Sequence, residues 1–164
     1  MSEVAPLDPE RLLETLSRQK VNFILIGALA ARLHGFPRLT ADADITPAHD
    51  RSNLGRLAAA LGELEAKVYT ESVPEGLPFD CSAATLSRAR MWNLVTNAGR
   101  VDIAFEPAGV KGYDDLRKEA QRFEAFGVRF LVASLDDIIR SKEAAGRPKD
   151  LDDVAILQAM KRMK

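Results

Sequence analysis

The chain has 164 residues, 46% hydrophobic and 29% charged, with a formal net charge of -1. That balance excludes a polycation that binds nucleic acid by bulk charge, so any such contact must come from local patches. No apolar run approaches the roughly 20 residues of a membrane-spanning helix, and the single cysteine, Cys81, excludes a disulfide framework and fits a reducing, cytoplasmic setting. A chain of this size is expected to form one domain, residues 1–164, and to bury roughly 70% of its unfolded surface. The opening MSEVAPLDPE is acidic and lacks an apolar core, so it does not read as a signal peptide.

Asp8 followed by Pro9 reads as an N-cap and first helical position, and Leu12, Leu13 and Leu16 then recur at helical spacing. Val21 to Ile26 is short and β-branched enough for a buried strand, and Gly27 ends it. Ala28 to Leu33 favours helix, closed by His34-Gly35. A second strand is expected at Asp42-Ala43-Asp44-Ile45 before Thr46-Pro47 stops regular structure. Asp50 caps a helix carrying Leu54, Leu57, Ala58, Leu61 and Leu64, Ala66 to Thr70 reads as a short strand, and Ser72 to Phe79, with two prolines and a glycine, as a loop. Ser82 caps a short helix over Ala83–Ala89, and Met91–Thr96 and Arg100–Phe105 flank Asn97-Ala98-Gly99 as a β-hairpin. The charged stretch Tyr113–Glu124 is expected to be a helix with Leu116, Ala120 and Phe123 inward. Val128–Ala133 reads as a last strand, Ser134 to Asp137 as a capping box opening a helix that ends at Gly146, and Pro148 begins a final helix running to the basic residues Lys161, Arg162 and Lys164.

The chemistry concentrates in Val21–Ile45. A strand, a glycine turn and a helix start point backbone amides and a positive dipole end toward an anion such as phosphate. On the following strand Asp42 and Asp44 share a face, because strand side chains alternate. An acid-x-acid triplet is weak evidence by itself, since Glu63-Leu64-Glu65 is another. Asp102 stands between apolar neighbours on a strand, a costly place for a carboxylate unless it is paired or metal-bound, or unless Arg100, Asp102 and Ala104 share a solvated face. Arg38 reads either as a phosphate clamp or as a plain solvated residue, and His34 as a helix-end histidine with a local hydrogen bond.

In order and spacing these residues resemble the nucleotidyltransferase (polymerase β-like) superfamily: a small-residue turn after a strand, Asp-x-Asp on the next strand, and a third carboxylate on a later one. Gly27, Ala30, His34-Gly35, Arg38, Thr40, Asp42 and Asp44 resemble its small bacterial branch, which includes AbiE-type toxins and minimal nucleotidyltransferases. The run from Lys142 through Gly146, Lys149 and Asp150 to Asp153 resembles that branch's C-terminal motif. The second turn residue is Ala28, where the superfamily carries glycine or serine. The resemblance implies an α/β fold: a small mixed β-sheet with packed helices and two C-terminal helices beside the site. It implies Mg²⁺ (or Mn²⁺) held by Asp42, Asp44 and Asp102, with Glu106 the alternative third carboxylate. It further implies a nucleoside triphosphate held by Gly27, Ala28, Arg38, Thr40, Lys142 and Lys149, its monophosphate passing to an acceptor hydroxyl. RNA such as tRNA is the favoured acceptor, ahead of protein or a small molecule; a toxin role with an antitoxin protein partner is also implied. The competing class is a degenerate module of the same fold that binds nucleotide or a partner protein, with Ala28 as its support. A metal phosphohydrolase fits poorly, because such sites usually add histidines and only His34 and His49 are present.

Overall fold

A computed structural model describes residues 4–164; the first three residues of the segment expected to lack a signal peptide lie outside the described residues. Seven helices and seven strands alternate along these residues: α1 (Pro9–Arg18), β1 (Phe23–Ile26), α2 (Gly27–Leu33), β2 (Asp42–Pro47), α3 (Arg51–Glu63), β3 (Lys67–Val68), α4 (Ala83–Leu86), β4 (Met91–Thr96), β5 (Gly99–Ala104), α5 (Tyr113–Arg117), β6 (Gln121–Ala125), β7 (Val128–Val132), α6 (Leu135–Ala145) and α7 (Pro148–Arg162). All seven strands join one mixed sheet in the order β3-β4-β5-β2-β1-β7-β6. β2 runs parallel to β5, and β1 parallel to β7; the other pairs are antiparallel. No helix of the described residues is long and apolar enough to cross a membrane.

Alternation decides which face of this sheet carries the carboxylates. Ala43, Ile45, Leu94, Val101 and Ile103 point to one side and are fully buried against the helical core. Each large aliphatic side chain among them stabilises the fold by about 1.5–3 kcal/mol. Their neighbours Asp42, Asp44, Asn93, Arg100 and Asp102 point to the other side and keep solvent access. A buried asparagine anchors the strand ends: the Asn53 side chain accepts from the Asn22 amide at 2.7 Å and donates to the Asn22 and Ala48 carbonyls at 2.9 and 2.8 Å. That clamp ties α3 to the start of β1 and the end of β2, fixing the strand that carries both aspartates.

Most expected elements stand where local chemistry puts them. Asp8, Asp50, Ser82 and Ser134 each accept a hydrogen bond from the backbone amide three residues on, as N-caps do. Gly146 closes α6 in the left-handed region. The helix expected over Tyr113–Glu124 is a correction: it stops at Arg117, and Gln121–Ala125 forms an edge strand. The reason lies just beyond it. Phe126 and Gly127 both take positive φ, 55° and 76°, and make a two-residue turn pairing Ala125 with Val128. Turn chemistry of this kind fixes a hairpin, and Phe123 turns inward opposite Phe130 while Arg122 and Glu124 face solvent. α4 is likewise shorter than expected, its end fixed where the Trp92 indole donates to the Leu86 carbonyl at 3.0 Å.

Candidate active site

β2 lies between β1 and β5, and register does the assembly. Ile26 faces Asp44, Asp44 faces Asp102, and Asp102 faces Asn93, so one row of side chains crosses four strands. Asp42 sits one step along, opposite Arg100 and within hydrogen-bonding reach of Asp102. Gly27 abuts this row. Its φ is +72°, and a Cβ there would collide with the Asp44 carboxylate, so glycine is required by both backbone conformation and space. No side chain caps α2, which leaves its first amides open beside Asp44.

Asp44 and Asp102 resist ionisation. Burial, then the charges of Asp42 and Asp102, push Asp44 up to about 7, against the opposing pull of Lys142 and Arg100. Burial likewise raises Asp102 to about 6; Arg100 pulls it back, and Asp42 adds to the rise. The Thr40 hydroxyl donates to the Asp42 carbonyl at 2.8 Å and lies 3.3 Å from an Asp42 carboxylate oxygen, so it orients that aspartate.

On the β1 side of the carboxylates stands a rank of cations held by two buried acids of α7. Asp153 is 3% exposed and pairs with Arg38 at 3.0 Å and Lys142 at 3.2 Å. Asp150, equally buried, pairs with Arg147 at 2.6 Å and lies 3.8 Å from Lys142. The field of both Lys142 and Arg147 reaches Asp44. The residues expected to meet phosphate therefore divide. Gly27 abuts Asp44 with Ala28 next to it in α2, and the field of Lys142 reaches Asp44 while Asp153 joins Arg38 to Lys142, whereas Lys149 is exposed and enters no ion pair among the described residues. Sequence reasoning placed Arg147, Asp150 and Asp153 in the C-terminal motif but gave them no role at the site, reading Asp150 as a first-turn acid matched to the helix dipole. Glu106 lies beyond the end of β5 on a separate cavity. His34 donates from Nε2 to the Ala133 carbonyl at 2.8 Å inside the core, and burial lowers its pKa, in keeping with a local structural role.

The sequence matches the family model described as "Nucleotidyltransferase of unknown function (DUF6036)" over residues 8–163, and the chain belongs to that family. No curated protein sequence resembles it significantly. Among solved structures it is similar to the lincosamide antibiotic adenylyltransferase LnuA, seen with lincomycin bound, at 14% identity and a TM-score of 0.59, covering 94% of this chain and 99% of that one. It is also similar to TM1012 of Thermotoga maritima, at 17% identity and a TM-score of 0.52 over 98% of both chains. The antibiotic-resistance factor ANT(2'')-Ia is a third, at 15% identity and a TM-score of 0.51, covering 93% of this chain and 88% of that one. At these identities the likeness establishes the fold.

Proposed function

We propose that the chain transfers a nucleoside monophosphate from a nucleoside triphosphate to an acceptor hydroxyl, with Asp42, Asp44 and Asp102 as its catalytic carboxylates. The observation that carries this is the row Gly27–Asp44–Asp102 with Asp42 beside it, facing the cations of Arg38, Lys142 and Arg147, in a chain of nucleotidyltransferase family. Among the described residues, no three acidic, histidine or cysteine side chains are already drawn together as a preformed metal cage. The donor chemistry nevertheless fits a hard divalent ion. Burial and nearby negative charge raise the pKa of Asp44 and Asp102, and an ion such as Mg²⁺ or Mn²⁺ relieves the repulsion through oxygen ligands alone. Bound there, it would supply Lewis-acid polarisation of the phosphate and a lowered pKa for the acceptor hydroxyl.

The chain's own residues supply position and charge. Gly27 lets backbone amides approach the phosphates. Lys142, Arg38 and Arg147 take the negative charge of the departing pyrophosphate, and Asp150 and Asp153 keep those cations aimed. An RNA 3′ end such as that of tRNA is the acceptor we favour. The basic C-terminal residues Arg162 and Lys164 support it through phosphate contacts, whereas Lys161 is paired with Asp136. Titrating a non-hydrolysable nucleoside triphosphate analogue into the protein, with and without Mg²⁺, tests the donor side. Metal-dependent binding that is lost in Asp44→Asn supports the reading; metal-independent binding unaffected by that change contradicts it.

A further inference from the structure

The two flanks of the carboxylate row differ. The β1 side is filled by α2 and the cation rank. On the other side β5, β4 and β3 continue the same face outward, and there Met91 is 59% exposed and Asn93 is exposed. Asn93 stands directly across from Asp102. The Arg100 guanidinium lies 3.8 Å over the Tyr69 ring, within cation–π range, and 3.5 Å from Asp102. Its Nε is buried and has no hydrogen-bond partner. Beyond Met91 the strands lead to a cavity of about 810 Å³ at their far end. Arg88, Arg90, Lys111 and Arg117 line it and enter no ion pair among the described residues. Its acids are Asp50, occupied in capping α3, with Glu106 and Asp114. Glu106, on this cavity, lies two residues beyond the end of β5.

Resting on the nucleotidyl-transfer reading, we propose that this open face of β3–β5 is the acceptor subsite, that Tyr69, Asn93 and Arg100 select the acceptor, and that the acceptor is a phosphate-bearing alcohol. Chemistry fixes the side. Phosphoryl displacement proceeds with the attacking and leaving oxygens roughly in line. Pyrophosphate departs toward Arg38, Lys142 and Arg147, so the attacking hydroxyl arrives from β5 and β4. Its oxygen bonds to the α-phosphorus as the bond to the β-bridging oxygen breaks; pyrophosphate leaves with that electron pair and the hydroxyl proton passes to water. The charge of the subsite fixes the class. Apart from Asp102 and the buried Val95 the face offers an amide, a thioether, a phenol, a guanidinium and the Lys67 ammonium, and it runs toward four unpaired cations. That arrangement takes phosphate and disfavours a polycationic amino sugar. An oligonucleotide 3′ end and a small sugar phosphate both carry the required chemistry.

The test uses the full chain with an α-labelled nucleoside triphosphate and three acceptors: a short oligoribonucleotide with a free 3′ hydroxyl, ribose 5-phosphate, and a tetracationic amino sugar. Binding of a 5′-fluorescent copy of the oligonucleotide is followed alongside by anisotropy. Label is expected on a phosphorylated acceptor, and which of the two takes it identifies the source. Asn93→Leu should raise the KM for that acceptor at least tenfold while leaving triphosphate affinity within twofold; Arg100→Met should raise the acceptor KM at least tenfold as well, and Arg100→Lys should recover part of that loss. Transfer to the amino sugar in preference, or an acceptor KM unmoved in both variants, overturns the subsite while leaving nucleotidyl transfer intact. Absence of both triphosphate binding and transfer overturns the two readings together. Triphosphate binding without label on, or binding of, either phosphorylated acceptor overturns the subsite alone.

Discussion

Replacing Asp44 by asparagine removes one ionisable group from the carboxylate row while keeping its shape, and the structure sets the size and sign of the effect. The Asp44 carboxyl is held at about 7, against 3.8 for a free aspartate. A folded-state pKa raised in this way gives stability that is fully present below the unfolded value. It is lost progressively as pH rises from about 4 through about 7. Across pH 5 to pH 8 a single such group forfeits about 2–3 kcal/mol, and coupling to Asp102, itself raised to about 6, spreads the loss over both. In chelator the Asp44→Asn protein should therefore gain on the parent as pH rises, by about 2–3 kcal/mol over that interval, or roughly 5–10 °C in Tm for a chain of this length. Thermal unfolding followed by circular dichroism at pH 5 and pH 8 measures it directly. Millimolar Mg²⁺ should raise the parent's Tm at pH 8 and leave the variant's nearly unchanged. A Tm difference that is the same at both pH values, or a variant less stable than the parent at pH 8 in chelator, refutes the electrostatic reasoning.

Gly27→Ala should lose at least about 1–2 kcal/mol of stability for a left-handed non-glycine residue and should abolish transfer, because its methyl group displaces the Asp44 carboxylate; denaturant unfolding and the transfer assay read the two effects. Asn53→Ala strands the Asn22 amide and the Asn22 and Ala48 carbonyls. It should cost about 3 kcal/mol by urea titration. Asp153→Asn loosens Arg38 and Lys142 together and should raise the KM for the triphosphate about tenfold, whereas Lys149→Ala should change it less than twofold; steady-state kinetics on the pair separates held cations from a solvated one.

The carboxylate row was legible because each of its residues obeys a local rule. A glycine ends an apolar strand, two aspartates alternate on the next, and a third interrupts an apolar run. Register then brings Asp44 and Asp102 level, which sequence separation alone does not state. The cation rank was only half legible. Lys142 and Arg38 stood out by resemblance, but the acids that aim them are buried on α7, and burial of Asp150 and Asp153 is a property of the α6–α7 packing that no periodicity in the chain announces. The long helix expected over Tyr113–Glu124 failed for the opposite reason: a charged, helix-compatible stretch was overruled by a two-residue turn just past its end. Tyr69, Asn93 and Arg100 were illegible, because residues just past β3 and on β4 and β5 become neighbours only once the sheet order is known.

The most direct measurement of the central claim is transfer itself. Purified protein is incubated with Mg²⁺ or Mn²⁺, each α-labelled nucleoside triphosphate in turn, and total cellular RNA and protein as acceptors, beside the Asp42→Asn, Asp44→Asn double variant. Label moving to an acceptor with the parent, and not with the double variant, is the result the account predicts. Transfer that persists undiminished in the double variant would contradict it, since the account rests the reaction on these carboxylates.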